Sequence, residues 1–164
     1  GIDRQVVSSA KAEATAVPSF AQPPAEIAEG LLGPEGSAEV VDFGQATGVS
    51  LQAVHGTVTG IMESLMQLTA NTTYACDTVS SPLIHSSDIP GDEPPELTMG
   101  ECDKWATEFA KSRFMCIFNL GGRGTLELEP FIHKDCAAVE VTLEPGSLLV
   151  LRTDAVSHSF TSPK

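Results

Sequence analysis

The sequence predicts an α+β fold: a jelly-roll-like β core, a supporting helix over about 51–68, a short helix over about 102–112, and an extended N-terminal arm. Three observations point to it. Five short runs rich in β-branched, aromatic and aliphatic residues, punctuated by glycine, proline and polar turns, fill the stretch from Phe114 to Phe160. One long segment, 51–68, repeats apolar residues at helical spacing. The first 48 residues are rich in Ala, Pro, Glu and Gly and show no sustained period.

Composition narrows the function. At 164 residues the chain is expected to form one folded domain, 49–164, with 1–48 as its arm. A chain of this size buries about 70% of its unfolded surface, enough for a real core. With 9 Lys+Arg against 22 Asp+Glu the formal charge is -13, which argues against a nucleic-acid backbone or an anionic membrane as partner. No apolar run approaches the roughly 18 residues of a membrane span, and no basic stretch followed by an apolar one marks a secretory signal. Cys76, Cys102, Cys116 and Cys136 are scattered without a CxxC pair, so free thiols are expected rather than a zinc knuckle or a disulfide framework.

Taken in order, the arm holds Pro18, Pro23, Pro24 and Pro34 and one short strand near 40–43. Such a segment gains order by lying against its own domain or a partner chain. The helix that follows places Leu51, Val54, Val58, Ile61, Met62, Leu65 and Leu68 on one face, with Ser50 as N-cap. Gly56 and Gly60 each cost about 1 kcal/mol relative to Ala, so close packing against them is expected. Met62 and Met66 read as core residues, and His55, off the stripe, as solvent-facing. Asn71-Thr72-Thr73 matches a glycosylation sequon, a common coincidence. Residues 88–101 read as a solvated acidic loop, without the ligand spacing of a calcium loop. Thr98 and Glu101 form a capping box for a helix with Trp105 and Phe109 on one face.

The strands are expected at 114–120, 125–128, 139–143, 148–151 and 156–160. Pro145-Gly146 and Thr153-Asp154 are the turns that bracket the fourth, with Arg152 and Asp154 as a turn-stabilising pair. Gly121, Gly122, Arg123 and Gly124 fit a hairpin or bulge between two strands rather than a phosphate cradle, because no helix follows.

That ladder delivers His158 in the manner of a second metal ligand in a double-stranded β-helix. Non-haem iron sites of that fold use two histidines and one carboxylate and leave open positions for a 2-oxo acid and dioxygen. The first pair of ligands has two candidates. His85 and Asp88 lie before the strand ladder, where the order of elements requires them, but three residues apart, so a bulge or turn must bring them together. His133 and Asp135 have the two-residue spacing but fall in a loop between the second and third strands. The nearest basic residue after His158 is Lys164.

From Trp105 to His158 the chain resembles a β-helical domain found near the N-termini of dinoflagellate type I polyketide-synthase-like proteins, itself distantly similar to the iron and 2-oxoglutarate oxygenase superfamily. The phrases that carry the likeness are Phe114-Met115-Cys116-Ile117-Phe118-Asn119-Leu120-Gly121, Thr125-Leu126-Glu127-Leu128-Glu129-Pro130-Phe131 and Pro145-Gly146-Ser147-Leu148-Leu149-Val150-Leu151-Arg152-Thr153-Asp154. The resemblance implies a double-stranded β-helix more strongly than an activity. The preferred expectation is a non-catalytic subunit of a larger assembly, docked to other proteins through the arm, with no cofactor. The lineage implies a plastid, photosynthetic setting, peripheral to a membrane complex. The alternative is an oxygenase using Fe(II) and 2-oxoglutarate, with His158, His85 and Asp88 at the metal.

Overall fold

The computed structural model describes residues 2–32, 37–41, 43, 48–86, 93–110, 112–131 and 137–162. Its elements run α1 (Arg4–Ala14), β1 (Ser19–Ala21), α2 (Ala25–Leu32), β2 (Ser37–Val41), α3 (Val49–Thr69), β3 (Leu83–Ser86), α4 (Met99–Ala110), β4 (Phe114–Phe118), β5 (Gly124–Pro130), β6 (Val139–Leu143), β7 (Leu148–Arg152) and β8 (Val156–Thr161). Among the described residues the strands form three antiparallel sheets, ordered β1-β2-β3, β4-β7 and β6-β5-β8. The fold is therefore α+β, and both expected helices and all five expected strands are present.

The β core follows from alternation. Leu126 and Leu128 on β5 and Val141 and Leu143 on β6 are two residues apart, and Val156 and Phe160 on β8 four, so each set shares one face of its strand. They pack with Ile117 of β4 and Leu149 and Leu151 of β7, and Leu126, Leu143 and Leu151 are buried at the centre. The other face of β4 sends Phe118 into a second cluster, built by Ala10 of α1 and Leu51 and Val54 of α3. β4 thus separates a sandwich-like β interior from a helical layer.

Gly121 to Gly124 do not make a hairpin, because β4 and β5 belong to different sheets. Asn119, 8% exposed, turns the chain across. Its Nδ2 donates to the carbonyls of Gly122 at 2.8 Å and Leu143 at 3.1 Å, while Gly121 N donates to its Oδ1 at 2.9 Å. Gly146 closes the other end of this corner. Its φ of 83° lies in the left-handed region, and its N–H reaches the Asn119 carbonyl at 2.8 Å.

The described residues of the first 48 are not an extended arm. They form α1, β1, α2 and β2, and α1 lies along α3 with Val7 buried and Ala10 fully so, which removes the apolar side of α1 from any docking role. The reason lies in the same composition that suggested disorder. Ala, Gln, Glu, Lys and Arg are strong helix formers, and the small Ala10 lets the two helices approach closely. Asp3 caps α1 by accepting from Gln5 N at 2.7 Å. Buried Pro23 and Pro24 start α2, where proline costs nothing in lost hydrogen bonds.

α3 also departs from expectation. It begins at Val49, so Gly48 occupies the N-cap and has no side chain to offer. Glu13 of α1 serves instead, accepting from Leu51 N at 2.6 Å and Ser50 N at 3.4 Å. Gly56 and Gly60 are exposed, with nothing near the space a Cβ would fill. Leu68 is 77% exposed, because α3 outruns the elements that cover its first turns. His55 stacks on Phe43 at 4.6 Å instead of facing solvent alone. The Thr98 cap holds, with its Oγ1 accepting from Glu101 N at 3.2 Å, but the Glu101 carboxylate turns to Trp105 Nε1 at 2.7 Å rather than closing the box. Trp105 is buried; the Phe109 side chain lies outside the described residues.

Candidate functional site

His158 stands in the middle of β8, opposite Leu128 of β5. It shares a face with Val156 and Phe160, both of which pack on the β core, so its imidazole is turned inward. Its Nε2 is buried and has no hydrogen-bond partner among the described residues. Such an atom is costly unless something accepts from it or is bound by it. Burial first, and then the neighbouring His85, push the His158 pKa below the ordinary imidazole value. The imidazole is therefore neutral at physiological pH, the form that ligates metals.

His85 reaches the same place from β3, where it pairs with Ala38 of β2. Its ring meets Phe160 edge-on, at 6.4 Å between centroids and 83° between planes. β3 ends the order of its sheet and β8 ends the order of another, so both histidines stand on edge strands. Packing fixes Phe160 between them. A Cβ on Gly124 would overlap its ring, so only glycine at 124 leaves Phe160 in this position. α2 packs against β8 nearby.

Of the ligands expected from sequence, His85 stands near enough to His158, across 72 intervening residues, to help lower its pKa. Asp88, His133, Asp135 and Lys164 lie outside the described residues. Two imidazoles suit iron, zinc, copper or nickel. Among the described residues no group of three His, Cys, Asp or Glu side chains gathers. Arg152 is committed elsewhere, as the turn pattern implied. Its Nε and Nη2 hold the Asp154 carboxylate at 3.0 and 2.9 Å, and its guanidinium lies 4.1 Å from the Tyr74 ring centroid. The mutual hydrogen bonds lower the Asp154 pKa and raise that of Arg152. Among the described residues no helix is long and apolar enough to cross a membrane.

Phe160 was read only as the end of a strand, and Gly124 only as part of a turn or bulge. The only local signal for them is a glycine that opens a strand, which marks close approach of another group. Comparison of the chain with family models, curated proteins and solved structures gave no match.

Proposed function

We propose that this chain is a double-stranded β-helix domain of the oxygenase type, in which His85 and His158 are two imidazole ligands of a ferrous centre. The observation that carries the reading is the buried, unpartnered Nε2 of His158 beside His85. Strand pairing supports it. A jelly roll is a strip of nested antiparallel pairs wrapped so that its fourth and seventh strands also meet. Counting β3 as the second strand, β5–β6 is the fourth–fifth pair, β4–β7 the third–sixth and β5–β8 the fourth–seventh. The same scheme sets the second strand beside the seventh, where the two histidines stand. Burial favours the neutral ring of His158, and Phe160 stands edge-on against one side of His85. Ferrous iron bound there would supply oxygen activation, with 2-oxoglutarate as co-substrate.

A second reading, a non-catalytic interaction subunit, is favoured by the outward side of α3. Val49 is exposed there on the side of the open Gly56 and Gly60, Leu68 is exposed at the far end of the helix, and Glu63 is the only charged residue among its 21.

Anaerobic titration of the full chain with Fe(II) separates the two. The metal reading expects stoichiometric binding that His85→Ala and His158→Ala each abolish, and succinate release from 2-oxoglutarate by the loaded wild type. Binding without succinate would leave a metal-holding scaffold. No binding would leave the subunit reading, for which Val49→Glu with Leu68→Glu should strip co-purifying partners.

A further inference from the structure

A cavity of about 490 Å³ opens between the C-terminal half of α3, the segment 75–81 and the start of β4. Four sulfur side chains line it: Met62, Met66, Cys76 and Cys116. They are half of the chain's four methionines and half of its four cysteines, gathered from three separate stretches of sequence. The gathering follows from local geometry. Met62 and Met66 are four residues apart on α3 and so lie on one helix face. Cys116 alternates with Ile117 and falls on the same side of β4 as Phe118, the side that packs on the helical layer. The methionines line an open space here instead of filling the core, and Cys76 Sγ meets only the Tyr74 carbonyl, at 3.5 Å.

We propose that this cavity is a binding site for a soft monovalent metal ion, Cu(I), held by the Met62 and Met66 thioethers and the Cys116 and Cys76 sulfurs. Thioether and thiolate donors select Cu(I) over harder ions. A hard cation such as calcium takes six to eight oxygen ligands. Among the described residues the lining offers Asp77 as its single carboxylate, and no histidine. Each ligating cysteine gives up its thiol proton to solvent as the S–Cu bond forms, with no change in oxidation state. Burial raises the Cys116 pKa and keeps that proton on in the free protein, so affinity rises with pH. The site is independent of the histidine pair.

The test is competition for Cu(I) between the full chain and bicinchoninate under anaerobic conditions, with copper K-edge X-ray absorption of the complex. The chain should withdraw stoichiometric copper from the chelator, with sulfur scatterers around it. Met62→Leu with Met66→Leu conserves volume, so it should leave the circular dichroism unchanged while weakening binding by about a hundredfold, the upper range even for second-shell changes. Cys116→Ser should do the same. A chain that takes no copper, sulfur variants that bind as tightly as wild type, or an absorption spectrum with only nitrogen and oxygen neighbours would each overturn the proposal.

Discussion

Replacing Glu13 by Ala should destabilise the fold through a helix 37 residues further along the chain. The N-terminus of α3 leaves backbone donors unpaired, and Gly48 at the cap position supplies no side chain. The Glu13 carboxylate accepts from Leu51 N and Ser50 N, and its charge faces the positive end of the helix dipole. Losing an N-cap costs about 0.5–2 kcal/mol, and hydrogen bonds to a charged group about 1.5–3 kcal/mol. The carboxylate is partly exposed and the two figures describe one interaction, so about 1–2 kcal/mol is expected. For a domain of this size that lowers Tm by roughly 2–8 °C, readable by circular dichroism. A double-mutant cycle makes the test specific. A Cβ at position 48 would overlap the Glu13 carboxylate, so Gly48→Ser should destabilise the wild type. In the Glu13→Ala background the new serine has room to cap α3 itself, so the same substitution should stabilise, giving a coupling of about 1 kcal/mol or more. Additive effects, or a Glu13→Ala protein as stable as wild type, would refute the cross-chain cap.

The His158 pKa is depressed in the folded state, so folding favours the neutral ring. Its contribution to stability is whole above the ordinary histidine value of 6.5 and is lost as pH falls from there toward the depressed value. Urea midpoints at about pH 7.5 and about pH 5 should therefore drop more for wild type than for His158→Gln; equal drops would count against a buried imidazole. Asn119→Leu removes both partners of the corner and leaves the Gly121 N–H and the Gly122 and Leu143 carbonyls short of a bond. A loss of about 2–4 kcal/mol in denaturant unfolding is expected, and a neutral outcome would show that water replaces the side chain.

Local pattern made much of this molecule readable. The alternation of Leu126 with Leu128 and of Leu149 with Leu151, bounded by glycine, proline and polar turns, marked each strand within a few residues of its place. The periodic run from Leu51 marked α3, although its start moved to Val49 and its cap came from another helix. Residues 1–48 misled because alanine-rich sequence reads as low complexity until a surface such as that of α3 is available to bury Val7 and Ala10. Half of the candidate site was visible as well, since His158 and His85 are recognisable residue types in the expected order.

The sequence by itself determined which segments are strands and helices, that the chain is acidic, and which side chains could ligate a metal. Those properties depend on neighbours within a turn or a strand. Only the tertiary structure decided that β4 pairs with β7 and β5 with β8, that Glu13 caps α3, that His85 meets Phe160 near His158, and that four sulfurs line one cavity. Each of these joins residues tens of positions apart. Antiparallel pairing is equally available to any two strands of matching period, so the partner is selected by how the whole core packs.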